Sequence, residues 1–228
     1  MPQTEAVIFD AYGTLLDVHA AMARHAERVG PGWRQLSADW RAKQLEYTWV
    51  RSLTAPALHE DFFLCTRDAL DVVCTRHGIG DAALKRDLMQ AYLTLDAYPE
   101  VPEMLRAVRA RGIATAILSN GTMNMLIAAC EAAGIRTLVD EILSVEEVGV
   151  FKPDRRVYQL ATRQFGCPAD RLVFVSSNAW DARAALHFGF RAVRVNRTGE
   201  PDEYGLRANG AAEIADLAAL PALPALLA

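Results

Sequence analysis

Four short stretches of this chain collect the side chains that could make and break bonds: Asp10-Ala11-Tyr12-Gly13-Thr14, Ser119-Asn120-Gly121, Lys152-Pro153-Asp154 and Ser176-Ser177-Asn178-Ala179-Trp180-Asp181. Among them are the carboxylates Asp10 and Asp181, the ammonium of Lys152, and several short hydroxyl and amide groups. A carboxylate held beside a cation and away from bulk water can serve as a nucleophile or a general base, oriented by nearby donors. Taken singly, an Asp or Ser in such a place could simply cap a helix. Four chemically matched stretches favour one shared pocket.

The elements around them make these places equivalent. Short β-rich apolar runs at 6–9, 113–118, 141–143, 172–175 and 192–195 alternate with helical patterns near 102–111, 123–133, 155–165 and 180–188. Strand followed by crossover helix is the unit of a parallel sheet, so the pattern predicts an α/β fold with a doubly wound parallel sheet. Ligands of such sheets bind at the carboxyl ends of the strands, where three of the four stretches fall, and Lys152 precedes a later helix.

Residues 18–97 interrupt the alternation with four helical patterns and no convincing strand, predicting a helical domain inserted into a core made of 1–17 and 98–228. Its second helix is expected to start at Ser37 as N-cap and to run through Trp40, Leu45, Tyr47 and Val50. Tyr98, Pro99 and Pro102 mark the return to the core, and 220–228 reads as a proline-interrupted apolar tail packed on it.

With 228 residues, 52% of them hydrophobic, the chain can fill a sizeable interior. Charged residues make up 23% and the net charge is −4, leaving no basic face for nucleic acid and no polybasic tract for a membrane surface. The uncharged stretch 112–130 has the length of a membrane span, but Ser119, Asn120, Gly121, Thr122 and Asn124 interrupt it, so strand, loop and helix are expected there. Cys65, Cys74, Cys130 and Cys167 form no CxxC pair, which suggests neither a disulfide framework nor a zinc site and fits a reducing cytoplasm. Cys65 and Cys74 are expected to pack. The first residues lack the basic region of a secretory signal. His19, His25, His59, His77 and His187 are scattered and read as surface residues, with no metal-ligating cluster.

In order along the chain, FDAYGTLLD (9–17), LSNG (118–121), FKPD (151–154) and SSNAWD (176–181) resemble the motifs of the haloacid dehalogenase superfamily, over essentially the whole chain. The stretches WRAKQLEY (40–47) and SSNAWD are similar to those of its L-2-haloacid dehalogenases, type II. The resemblance implies a core of that superfamily with an inserted helical cap. It also implies an Asp10 nucleophile that displaces halide from a small L-2-haloalkanoic acid, hydrolysis of the resulting ester to the D-2-hydroxy acid, and no metal or other cofactor.

Most members of the superfamily are magnesium-dependent phosphotransferases, with a second Asp two residues after the nucleophile and a Gly-Asp pair in the last motif. Here those positions are Tyr12 and Ser176-Ser177. Both departures suit substitution at carbon, since a halide leaves as a stable anion needing no proton and there is no phosphoryl charge to neutralise. A magnesium-dependent phosphatase and a catalytically silent binding protein on the same fold stand as the alternatives.

The resemblance also implies roles. Lys152 keeps Asp10 ionised, and Thr14, Ser176 and Asn178 donate hydrogen bonds to the surrounding carboxylates. Arg41 and Asn178 receive the halide, Arg41 sharing a helix face with Leu45 four residues on; an ordinary helix arginine would be a solvated ion-pair partner. Ser119, Asn120 and the backbone N–H groups after Asp10, at Ala11 and Tyr12, hold the substrate carboxylate. Tyr12, Leu45, Phe62 and Trp180 wall the pocket, with core packing an equal reading for Phe62, and Tyr158 hydrogen-bonds near the site. Asp181 either activates the hydrolytic water or serves as counter-ion to Lys152. Ala42 stands where relatives commonly carry Gln, implying an altered pocket size. The expected partners are the haloacid, the halide and, as in relatives, a second copy of the chain.

Overall fold

In the computed structural model, which describes residues 3–54 and 61–223, six strands form one parallel sheet. They are β1 (Ala6–Phe9), β2 (Ala114–Ser119), β3 (Glu141–Ser144), β4 (Leu172–Ser176), β5 (Arg191–Val195) and β6 (Ala212–Ile214), in the order β3-β2-β1-β4-β5-β6. The central strands β1 and β4 are buried along their whole length. A parallel sheet is covered on both faces, which is why its strands read as unbroken apolar runs rather than as alternation. Edge strand β6, of only three residues with a Glu at its centre, carries no such run and was not expected from the sequence.

Five helices, α1 (Ala20–Arg24), α2 (Ala26–Val29), α3 (Trp33–Thr54), α4 (Phe62–Arg76) and α5 (Ala82–Leu93), follow β1 and precede the last helix before β2, with no strand among the described residues from 20 to 93. The four helical patterns expected there resolve into five because α1 and α2 break at His25. Helices α6 (Val101–Arg109), α7 (Met123–Ala132), α8 (Arg155–Phe165) and α9 (Ala179–Phe188) connect or flank the strands.

Helix α3 begins at Trp33, four residues before the expected N-cap. The breaker is Gly30-Pro31-Gly32, and nothing in Trp33-Arg34-Gln35-Leu36 opposes a helix, so Ser37 lies inside it, with its Oγ 2.7 Å from His19 Nδ1. Leu36, Trp40, Gln44 and Thr48 form a buried stripe at four-residue spacing. That stripe packs on α4, and Trp40 Nε1 donates to the Thr66 carbonyl at 2.8 Å.

Stretch 112–130 resolves into β2, a turn and most of α7, and no helix among the described residues is long and apolar enough to cross a membrane. Cys65 and Cys74 are buried. His19, His77 and His187 are exposed and His25 is half-buried, while His59 lies outside the described residues. Leu217 and Leu220 of the C-terminal 3-10 helix Leu217–Ala222 are buried against the core; the tail at 224–228 is also outside the described residues.

The strand order reverses at β1, so β1 and β4 flank the point where successive connections leave in opposite directions, the place where open α/β sheets bind their ligands. Phe9 pairs with Val175 on one side and Ile117 on the other. This register brings Asp10, Ser119 and Ser176 to one rim of the sheet.

Candidate active site

Asp10 emerges from β1 with its backbone N–H still bonded to the Val175 carbonyl at 2.9 Å, and its side chain is only 6% exposed as a residue. Three donors fix the carboxylate. Lys152 Nζ donates to Oδ1 at 3.1 Å, while Asn178 Nδ2 at 2.9 Å and Thr14 Oγ1 at 3.2 Å donate to Oδ2. Asn178 occupies the N-cap position of α9, yet its side chain makes no cap bond and turns to Asp10 instead. Capping in these stretches falls to other residues: Asp154 caps α8 and Thr122 caps α7.

Lys152 is 1% exposed and stands between two carboxylates, with Asp181 Oδ2 at 2.9 Å on its far side. Burial alone would favour the neutral amine, but Asp10 and Asp181 outweigh it and hold the group above the ordinary lysine value. Asp181 is fully buried, and its Oδ1 accepts the Tyr158 hydroxyl at 2.6 Å. Burial raises the Asp181 carboxyl above the usual carboxylate range, opposed by Lys152 and reinforced by Asp10. Burial, with Asp181 next, pushes the Tyr158 hydroxyl well above its ordinary value, so it remains a neutral donor.

Over this cluster lies a narrow cavity lined by Asp10, Tyr12, Arg41, Leu45, Phe62, Ser119, Asn120, Lys152, Asn178 and Trp180. Arg41 reaches it from α3, donating through Nη2 to the Tyr12 carbonyl at 3.1 Å. Tyr12 stacks on Tyr92 with centroids 5.5 Å apart and leans on Phe62 at 5.2 Å. Phe62 is therefore both wall and core. Only glycine fits at 121: a Cβ there would meet the Tyr12 ring at 2.8 Å and Leu126 at 3.0 Å.

Some expected residues sit differently from their sequence reading. Ser176 Oγ accepts the Asn178 N–H at 3.2 Å, shaping the loop, whereas the donor to the carboxylate from this stretch is Asn178. Asn120 Oδ1 accepts the Lys152 N–H at 2.9 Å, and Ser119 Oγ accepts the Gly121 N–H at 3.2 Å. Ala11 is fully buried, so it can offer the cavity only its backbone. The backbone N–H groups of Ala11, Tyr12 and Asn120 make no hydrogen bond to another described residue. Asp181 and Tyr158 stand behind Lys152 and do not line the cavity. Ala42 is exposed on α3 and is not among the residues that line the cavity.

Sequence reasoning missed Gln44, Thr66 and Tyr92. Gln44 Oε1 accepts from Arg41 Nη1 at 2.8 Å, and its Nε2 donates to Thr66 Oγ1 at 2.6 Å. The signal was present in the helical period, which places Gln44 on the same buried stripe as Trp40.

A family model described as haloacid dehalogenase-like hydrolase matches residues 4–189. The chain belongs to this hydrolase family. Within it, the chain is 45% identical over 202 residues to (S)-2-haloacid dehalogenase 4A of Burkholderia cepacia, covering 87% of this chain and 86% of that protein. It is 45% identical over 200 residues to the (S)-2-haloacid dehalogenase of a Pseudomonas species, strain YL, covering 87% and 85%. The fold matches the L-2-haloacid dehalogenase of Xanthobacter autotrophicus solved with chloropropionic acid covalently bound: TM-score 0.87, 30% identity, 99% of this chain and 100% of that one. Among the described residues of this family member, no group of three or more His, Cys, Asp or Glu is placed to hold a metal ion.

Proposed function

We propose that this hydrolase converts small (S)-2-haloalkanoic acids and water into (R)-2-hydroxy acids, halide and a proton, through an ester on Asp10. The observation that carries this reading is the clamp on Asp10: a buried carboxylate held by an ammonium and two neutral donors, facing a narrow cavity lined by both polar and apolar side chains. The space left over Asp10 is narrow, which suits an acid of a few carbons.

In the first step an Asp10 oxygen attacks C2 opposite the halogen; the O–C2 bond forms, the C2–halogen bond breaks with its electron pair, and the centre inverts. Arg41 and Asn178 receive the halide. The substrate carboxylate sits at the N–H groups of Ala11, Tyr12 and Asn120 with the Ser119 hydroxyl, a nest of donors with no other described partner. Tyr12, Leu45, Phe62 and Trp180 keep water out.

In the second step water attacks Cγ of Asp10: the new O–Cγ bond forms, the Cγ–O bond to the substrate breaks, one water proton goes to the leaving alkoxide to give the hydroxy acid and the other to an acceptor, and the carboxylate is restored. This step needs a proton acceptor and the first does not. Once Asp10 is an ester its charge is gone, and Asp181 is the carboxylate left on Lys152, so it takes the proton through the Lys152 ammonium, combining the two roles open to it. Asp181→Asn is thus expected to trap the ester, seen by intact-mass spectrometry as a chain heavier by the acyl group; an unmodified chain with normal turnover would remove Asp181 from the hydrolytic step.

A phosphatase reading is disfavoured because Tyr12 replaces the proton-donating carboxylate and the charge between Asp10 and Asp181 is the chain's own ammonium. We also propose a homodimer in the cytoplasm, on family resemblance and on cysteines that form no CxxC pair. The test of function is halide release from each enantiomer of 2-chloropropionate with EDTA present. Release from the (S) form alone is expected. Magnesium-dependent hydrolysis of a phosphate ester, with no halide from either enantiomer, would overturn the reading.

A further inference from the structure

We propose that Gln44 is a positioning residue for Arg41, holding the guanidinium in the orientation that receives the leaving halide. The proposal rests on the halide role assigned to Arg41 above. Gln44 is 1% exposed, buried with Thr66 and Tyr92 in the seam between α3, α4 and α5. A neutral amide in such a place is costly unless its polar atoms are paired.

All of them are paired, and in one direction. A guanidinium has donors only, so the Gln44 atom 2.8 Å from Arg41 Nη1 must be the carbonyl oxygen. The amide nitrogen then donates to Thr66 Oγ1 at 2.6 Å, and Thr66 passes its own proton to the Phe62 carbonyl at 2.6 Å. The Tyr92 hydroxyl stands 3.1 Å from the Gln44 nitrogen and 3.2 Å from its oxygen, bracing the amide plane. The sequence Arg41 to Gln44 to Thr66 to Phe62 is a chain of donors anchored on the backbone, and such chains polarise and stiffen their members.

At its other end Arg41 bonds the Tyr12 carbonyl, in the loop that carries Asp10. Two anchors, one on the helical segment and one on the sheet side, thus fix a side chain with four rotatable bonds. Gln44 and Tyr12 take two of its five N–H donors and the Tyr92 hydroxyl lies within reach as well, leaving the rest for the halide and its surroundings. A guanidinium already held in place loses little freedom when the anion arrives.

The test is Gln44→Met, which keeps the length of the side chain but removes the acceptor, with Gln44→Glu restoring an acceptor for Arg41. Bromide affinity is measured by titration calorimetry, independent of turnover, alongside kcat and KM for 2-bromo- and 2-chloropropionate. Gln44→Met is expected to weaken bromide binding about tenfold or more, as loss of one hydrogen bond to a charged group does. It should depress kcat on the chloro acid more than on the bromo acid, because the poorer leaving group depends more on its receptor. Gln44→Glu is expected to recover most of both.

Lowered thermal stability with unchanged bromide affinity and an unchanged bromo-to-chloro ratio would overturn the proposal and leave Gln44 a packing residue. Should Gln44→Met fail to fold, Thr66→Val breaks the chain one bond further out and must weaken bromide binding in the same sense; no change would again overturn it. Absence of halide release by the unaltered enzyme would refute the dehalogenase reading, while the calorimetric comparison would still decide whether Gln44 orients Arg41 for an anion.

Discussion

Asp10→Asn is expected to lower halide release from (S)-2-chloropropionate by about four orders of magnitude or more, the scale seen when a covalent nucleophile is removed. An amide lacks the negative charge, and its delocalised oxygen is too weak a nucleophile to displace halide from carbon; no other side chain lining the cavity can substitute, since Lys152 is protonated and Ser119 has no base beside it. The fold should survive, because Lys152 keeps Asp181 as its partner at 2.9 Å. Halide release by ion-selective electrode, with circular dichroism as the control, checks this. Residual turnover within a hundredfold of the unaltered enzyme would mean that the nucleophile lies elsewhere.

Lys152→Met has the largest expected effect on stability. The ammonium is 1% exposed, with carboxylates at 3.1 Å and 2.9 Å and the Phe174 ring centroid at 4.9 Å. Removing one member of a buried ionic set leaves uncompensated charge, at a cost of about 3–5 kcal/mol. For a chain of this size that corresponds to a fall in Tm of about 10 °C. Activity should vanish as well, since Asp10 loses the ammonium that orients it and Asp181 loses its link to the site.

The pH dependence separates the two proteins. In the unaltered chain the folded Lys152 binds its proton more tightly than the unfolded one, so its contribution is complete below the ordinary lysine value of 10.5 and is lost as pH rises through the higher folded value. In Lys152→Met the deficit comes from carboxylate charge left without its ammonium, so it should shrink as the pH falls and protonates the fully buried Asp181, whose carboxyl already lies above the usual range. A deficit independent of pH would attribute the loss to packing rather than charge.

Much of this site was legible because its chemistry sits at strand ends, where topology leaves little choice. The apolar runs of β1, β2, β4 and β5 are buried on both faces and announce themselves, and the residues after them must fall on one rim. Asp10 and Asn178 could be named on that ground, and Lys152 by the helix that begins just after it. β6 could not, because a short edge strand with Glu213 at its centre has no distinctive pattern. Capping residues were ambiguous for a physical reason: Asp154 and Asn178 both sit at helix N-caps, yet one bonds its own helix and the other leaves it for Asp10. The start of α3 was misplaced since Ser37 is a good cap in isolation, and the breaker lay just upstream. Gln44, Thr66 and Tyr92 escaped notice because a polar network across three helices depends on their packing, which no single segment encodes.

The central claim is that substrate becomes esterified to Asp10 before water arrives, and isotopic oxygen tests it most directly. With enzyme in excess over (S)-2-chloropropionate in H₂¹⁸O, a single turnover is expected to place the heavy oxygen in the Asp10 carboxylate and leave the hydroxy acid unlabelled, both read by mass spectrometry. Heavy oxygen in the first-turnover product with an unlabelled Asp10 would mean that water attacks C2 itself, and would contradict the account.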